Sequence, residues 1–181
     1  MNIEYSRVTD VLYPFSGLTQ ISSDILRKAG DRGTAVHEIC DAIINGLGVN
    51  KMAEFQGYID SFMSFFQGKS FLEKPNRFYC DQYMITGECD GLYKSEKGIT
   101  LFDLKTSGKE GKTWRLQGSA YAYLAKQKGI TVNEIVFVKL DKSGKEPKIF
   151  SYEYDFDMFL KCLEMYNHFF KDVKLDYLDY L

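Results

Sequence analysis

The chain has 181 residues, 45% hydrophobic and 27% charged, with 13 Tyr and 14 Phe against only 3 Pro. These proportions exclude a disordered or fibrous polypeptide, and the length suits one domain with a real core. No apolar run approaches the roughly 18 residues of a membrane span, and a net charge of −2 gives no global pull toward polyanions.

The chain opens without the apolar core of a signal peptide, so a cytoplasmic location is expected, in a host cell if the origin is viral. Cys40, Cys80, Cys89 and Cys162 form no CxxC pair and are expected as free, partly buried thiols in a reducing compartment. Charge is unevenly spread. Between Lys94 and Lys128 stand eight basic residues (Lys94, Lys97, Lys105, Lys109, Lys112, Arg115, Lys126, Lys128) and three acidic ones (Glu96, Asp103, Glu110). That excess suits phosphate contacts, and equally a solvated lysine-rich surface.

In chain order, residues 1–30 read as irregular, with a turn over Tyr13-Pro14-Phe15-Ser16-Gly17 and a short helix from Ser23. A stronger helix starts near Asp31, because Val36, Ile39, Cys40, Ile43, Ile44 and Leu47 recur at helical spacing before Gly46 and Gly48. A second helix covers 51–67, with Met52, Phe55, Ile59, Phe62, Met63 and Phe66 on one stripe. The pattern then turns to alternation, predicting strands over 71–79, 83–93 and 99–105, with Gly87 and Gly91 marking bends or close approaches. A helix over 113–128 ends at Gly129, a hairpin joins 134–140 to 148–154, and an amphipathic helix over 158–170 follows. The expected fold class is α/β: a single domain over 1–181 with a central mixed sheet flanked by helices.

The hairpin 87–105 carries the chemistry. If its turn is symmetric about Glu96 and Lys97, paired residue numbers sum to 193. Asp90 then lies opposite Asp103, and Glu88 opposite Lys105. Alternation puts Asp103 and Lys105 on one face and sends Phe102 and Leu104 to the other, toward the core. Two facing carboxylates repel each other and call for a cation between them; Mg²⁺ or Mn²⁺ suits such oxygen donors. A three-residue turn with a bulge at Gly98 would instead put the two aspartates on opposite faces.

Gly87-x-x-Asp90, then Asp103-Leu104-Lys105, then Gln117-x-x-x-Tyr121 resembles the PD-(D/E)XK nuclease superfamily in its RecB-like branch. Arg32-Gly33-Thr34-Ala35-Val36-His37 stands where that branch has a helix bearing a histidine. The resemblance spans about 30–125. It implies a restriction-endonuclease-like core and hydrolysis of DNA phosphodiesters, of an exonucleolytic kind, in repair, recombination or phage replication. It also implies His37, Asp90, Asp103 and the Leu104 carbonyl as metal ligands and Lys105 as the catalytic lysine. Gln117 and Tyr121 match positions that touch DNA or support the site, and Glu73 matches an additional acidic residue of some members. The usual Pro before the first aspartate is replaced by Cys89.

Each residue also has an ordinary reading. His37 could pack beside its helical stripe, Lys105 could pair with Glu88, and Gln117 and Tyr121 could be plain helix residues. Lys112 and Arg115, expected in the first turn of their helix, suit DNA phosphates or bulk water. Two other functions stay open: a structure-specific endonuclease on the same fold, and a catalytically silent DNA-binding or interaction module. A recombination or replication protein, such as an annealing protein or a helicase, is a possible partner.

Overall fold

The structure is a computed structural model that describes residues 4–48 and 53–171. Its element order is β1 (Ser6–Arg7), α1 (Val8–Ser16), α2 (Ser23–Ile44), α3 (Gln56–Phe66), β2 (Ser70–Leu72), β3 (Phe78–Cys80), β4 (Ile85–Gly87), β5 (Gly91–Ser95), β6 (Gly98–Lys105), α4 (Trp114–Lys126), β7 (Glu134–Lys139), β8 (Lys148–Tyr152) and α5 (Phe156–Phe169). Five strands form a mixed sheet in the order β2-β5-β6-β7-β8, parallel between β6 and β7 and antiparallel elsewhere. A smaller sheet, β1-β4-β3, lies apart from it.

Alternation along β6 divides the core. Leu101 packs with Leu92, Ile135 and Phe137 against α1, α4 and α5. Phe102 and Leu104, facing the other way, pack with Tyr93, Val136 and Val138 against α2 and α3. Both faces are covered, so the middle strands read as nearly continuous apolar runs. The expected mixed sheet flanked by helices is the observed architecture.

Several boundaries differ from expectation. Residues 8–16 are helical, burying Val8, Val11 and Leu12 at i, i+3, i+4 spacing with Tyr13 beside them; Pro14 and Gly17 are its closing turn and cap. The helices expected from Ser23 and from Asp31 are one helix of 22 residues. The start expected for the second helix at 51, including Met52, lies outside the described residues. The strand expected over 71–79 is broken at 73–77, around Pro75.

The decisive difference concerns 83–93. It is two strands: β4 belongs to the small sheet and β5 to the large one, and Glu88-Cys89-Asp90 crosses between them. Gly87 permits the crossing, since a Cβ there would stand 2.6 Å from the Tyr121 ring. The turn is the symmetric one, with Ser95 paired to Gly98 and Gly91 to Phe102, so paired numbers do sum to 193. The ladder stops there, and Asp90 lies one residue beyond it.

Candidate active site

The break between β4 and β5 builds the site. Continued pairing would have given the Leu104 N–H a backbone carbonyl from β5's strand. The Asp90 carboxylate takes that place, accepting the Leu104 N–H on Oδ2 at 2.5 Å. A residue's N–H and C=O point to the same side of a strand, so the Leu104 carbonyl lies on the same edge of β6, and Leu104 lines the cleft with Asp90. The other Asp90 oxygen, Oδ1, stands 2.9 Å from His37 Nδ1 on α2.

Asp103 and Lys105 lie two residues apart on β6 and on one face, with Lys105 Nζ 2.7 Å from Asp103 Oδ2. That oxygen is buried and accepts no hydrogen bond of good geometry, so the ammonium is its counter-charge. Lys105 Nζ also donates to Gln117 Oε1 at 3.3 Å, and Gln117 Nε2 donates to the Tyr121 hydroxyl at 2.9 Å. The Phe137 ring centre stands 5.3 Å from the same ammonium. One turn of α4 thus holds the lysine in place.

The electrostatics follow from burial and pairing. Burial pushes the Asp103 carboxyl up to about 6; Lys105 opposes that shift and Asp90 adds to it. Burial acts on Asp90 in the same direction, but His37, the Leu104 N–H and Lys105 together hold it below the usual carboxylate range. Burial is the largest single influence on His37 and disfavours its imidazolium, yet the charge and hydrogen bond of Asp90, with the charge of Asp103, together outweigh it and raise its pKa. Two neighbouring carboxyls are thereby pushed apart, a pattern typical of working sites. Burial also pushes the Cys89 thiol up to about 12, so a protonated sulfur sits beside Asp90.

These groups line an open cleft of about 510 Å³, together with Arg7, Glu38, Asp41, Lys74, Arg77 and Glu88. The structure brings His37, Asp90, Asp103, Leu104, Lys105, Gln117 and Tyr121 into it, all expected from the sequence. Others it leaves out. Glu73 is exposed and does not line the cleft; its neighbour Lys74 does. Glu88 does not meet Lys105 but pairs with Arg77 at 3.3 Å, because the chain has left the ladder by residue 90. Lys112 precedes α4 rather than lying in its first turn, and Arg115 pairs with Asp155 at 2.8 Å.

The basic excess over 94–128 forms no single patch: of its eight residues only Lys105 lines this cleft, while Lys97 pairs with Glu134 at the other end of β6. Sequence reasoning missed Lys74 and Arg77, and no motif surrounds them. Their only signal was two cations near Pro75 between strands. All four cysteines are buried and free, as expected.

As a place for a cation, the site offers two carboxylates, the Leu104 carbonyl and the His37 imidazole. The buried Asp103 oxygen without a hydrogen bond and the mutual repulsion of the aspartates fit a hard divalent ion. Among the described residues no three His, Cys, Asp or Glu side chains converge closely enough to hold an ion by themselves. His37 and Lys105 now neutralise the two aspartates, so an ion must take over those charges.

No family model matches the chain, and no curated protein matches it. Among solved structures it is similar to a provisionally named exonuclease from Eubacterium rectale, with 15% identity over 91% of this chain and 77% of that one and a TM-score of 0.52. It also aligns with LHK-Exo in complex with dAMP, at 12% identity over 90% of this chain and 84% of that one, with a TM-score of 0.35. The first likeness is one of fold; the second is too loose to carry an argument.

Proposed function

We propose that this chain is a divalent-metal-dependent DNA nuclease of the PD-(D/E)XK type, in the RecB-like branch, working from strand ends. One observation carries the reading: His37, Asp90, Asp103 and Lys105, from three separate elements, converge at the break in the sheet and open onto one cleft. A fold shared with a protein named as an exonuclease supports it.

Asp90, Asp103 and the Leu104 carbonyl would hold Mg²⁺ or Mn²⁺, with His37 as a further ligand. When bound, such an ion polarises a phosphodiester oxygen and makes water a better nucleophile at neutral pH. Asp103, whose burial raises its pKa in the metal-free protein, must lose its proton to hold the ion. Lys105, released from Asp103, offers a positive charge to the oxygen that turns anionic as the bond breaks. Gln117 and Tyr121 are positioning residues, because they reach the reacting groups only through Lys105.

A second reading has its own observation. The aspartates are already charge-compensated by His37 and Lys105, as a silent DNA-binding module would need. Comparing wild type with Lys105→Ala on linear and covalently closed DNA, in Mg²⁺, Mn²⁺ or EDTA, decides between them. The nuclease reading expects metal-dependent loss of linear DNA, intact circles, and an inactive variant with unchanged circular dichroism. Cut circles would make it an endonuclease. DNA that is bound but never cut would establish the silent module.

A further inference from the structure

Besides His37, four lysine and arginine side chains line the cleft, and the proposed chemistry uses one of them, Lys105. Arg7 is engaged in a two-nitrogen pairing with Asp10 at 2.8 to 3.1 Å. Lys74 and Arg77 remain. Both sit in the connection 73–77 between β2 and β3, on the lip of the cleft. The charge of Lys74 is felt at Cys89, the residue before Asp90. Arg77 Nη2 rests 3.3 Å from Glu88 Oε2, in a pair whose side chains are 39% and 48% exposed.

An ion pair that exposed is weak. A phosphodiester offers a guanidinium two oxygens in the geometry it fits best. Glu88 is two residues before Asp90, at most about 7 Å along the backbone. A strand whose scissile phosphate lay at Asp90 and Asp103 would therefore bring a neighbouring phosphate close to this lip.

We propose that Lys74 and Arg77 form a phosphate-holding lip that seats a second phosphodiester of the bound strand, with Glu88 as the partner Arg77 gives up when nucleic acid arrives. The idea rests on the nuclease reading for its ligand, yet it concerns binding and needs no cleavage. Glu88 then acts against binding: its charge competes for Arg77 and repels the strand at the same point.

The test is anisotropy with a labelled single-stranded oligonucleotide in EDTA across a salt series. It compares wild type, Lys74→Ala/Arg77→Ala, Glu88→Gln, and the control Lys94→Ala/Lys128→Ala, which removes equal charge outside the cleft. Each lost phosphate contact removes about 0.7 from the slope of log affinity against log salt for a single strand. The lip seats one phosphate, so the lip variant should flatten the slope by about 0.7 and bind roughly 5-fold more weakly at 0.1 M salt. Glu88→Gln should bind more tightly than wild type.

A lip variant that matches the control overturns the proposal, as does a Glu88→Gln protein that binds no tighter. Cleavage by the same wild-type preparation keeps the two ideas separate. If it cuts DNA but the slope is unchanged, the lip falls and the nuclease stands. If the slope changes but nothing is cut, the lip stands and the nuclease falls.

Discussion

The two ends of β6 each carry a lysine–carboxylate pair, at almost the same distance and with opposite consequences. At the turn end, Lys97 Nζ meets Glu134 Oε1 at 2.6 Å, with the lysine side chain 68% exposed. At the other end, Lys105 Nζ meets Asp103 Oδ2 at 2.7 Å, with 21% and 5% of the side chains exposed. Water screens the first pair and competes for both partners, so it contributes little. The second has been taken out of water, where desolvation opposes the Coulomb attraction and the Asp103 pKa rises. Distance alone does not separate a screened pair from one that shifts a pKa; burial and the neighbouring Asp90 do.

The comparison breaks most visibly at Lys105. Lys105→Ala should lower the cleavage rate by roughly 10²- to 10⁴-fold, the range for losing a positioned charge or proton-transfer group. A residual rate within threefold of wild type in a steady-state assay would remove Lys105 from the chemistry.

Next in size is the pH dependence of stability without metal. Asp103 has a folded pKa of about 6 against an ordinary 3.8, so the folded state favours its protonated form. That contribution is present at low pH and is lost as pH rises from about 4 through 6, by on the order of 3 kcal/mol. His37 has a raised pKa, so its pairing with Asp90 stabilises fully below 6.5 and is lost as pH climbs through the higher folded value. Asp90, held low, contributes throughout this range. Thermal unfolding in EDTA should therefore show a lower midpoint at pH 8 than at pH 5.5. Added Mn²⁺ should raise the midpoint more at pH 8, where protons no longer compete for the carboxylates. Equal metal effects at both pH values would count against a carboxylate-held ion.

Gln117→Ala should have a smaller effect, roughly 10- to 100-fold on activity, because it removes an orienting contact and leaves the charge in place. Gln117→Glu, which restores an acceptor for the ammonium, should recover part of the loss in the same assay. If Ala and Glu behave alike, the contact has no orienting role. The smallest effect belongs to Lys97→Ala, expected to leave both the unfolding midpoint and the cleavage rate unchanged within error. A marked loss of either would show that the exposed pair matters more than its surroundings suggest.

Much of this was legible in the residues. The Asp103-x-Lys105 spacing puts both side chains on one strand face in any register, and the symmetric turn at Glu96-Lys97 brings β5 into the register in which paired numbers sum to 193. The apolar stripes of α2, α3, α4 and α5 required one buried side each. Helix α1 was equally written in Val8, Val11 and Leu12, but Pro14 and Gly17 hid it by reading as a turn.

What the sequence by itself determined is therefore local: strand alternation, helical stripes, turn symmetry and the set of side chains able to do acid, base or ligand chemistry. These depend on periods of two and 3.6 residues that any chain must obey. Only the tertiary structure decided that 83–93 splits between two sheets, which takes Asp90 off the ladder and turns it to Leu104 and His37. Only the fold, likewise, sends Glu88 to Arg77 and carries Lys74 to the cleft while leaving Glu73 outside. Such outcomes depend on contacts between segments far apart in the chain, such as the Tyr121 ring beneath Gly87, and no local period encodes those.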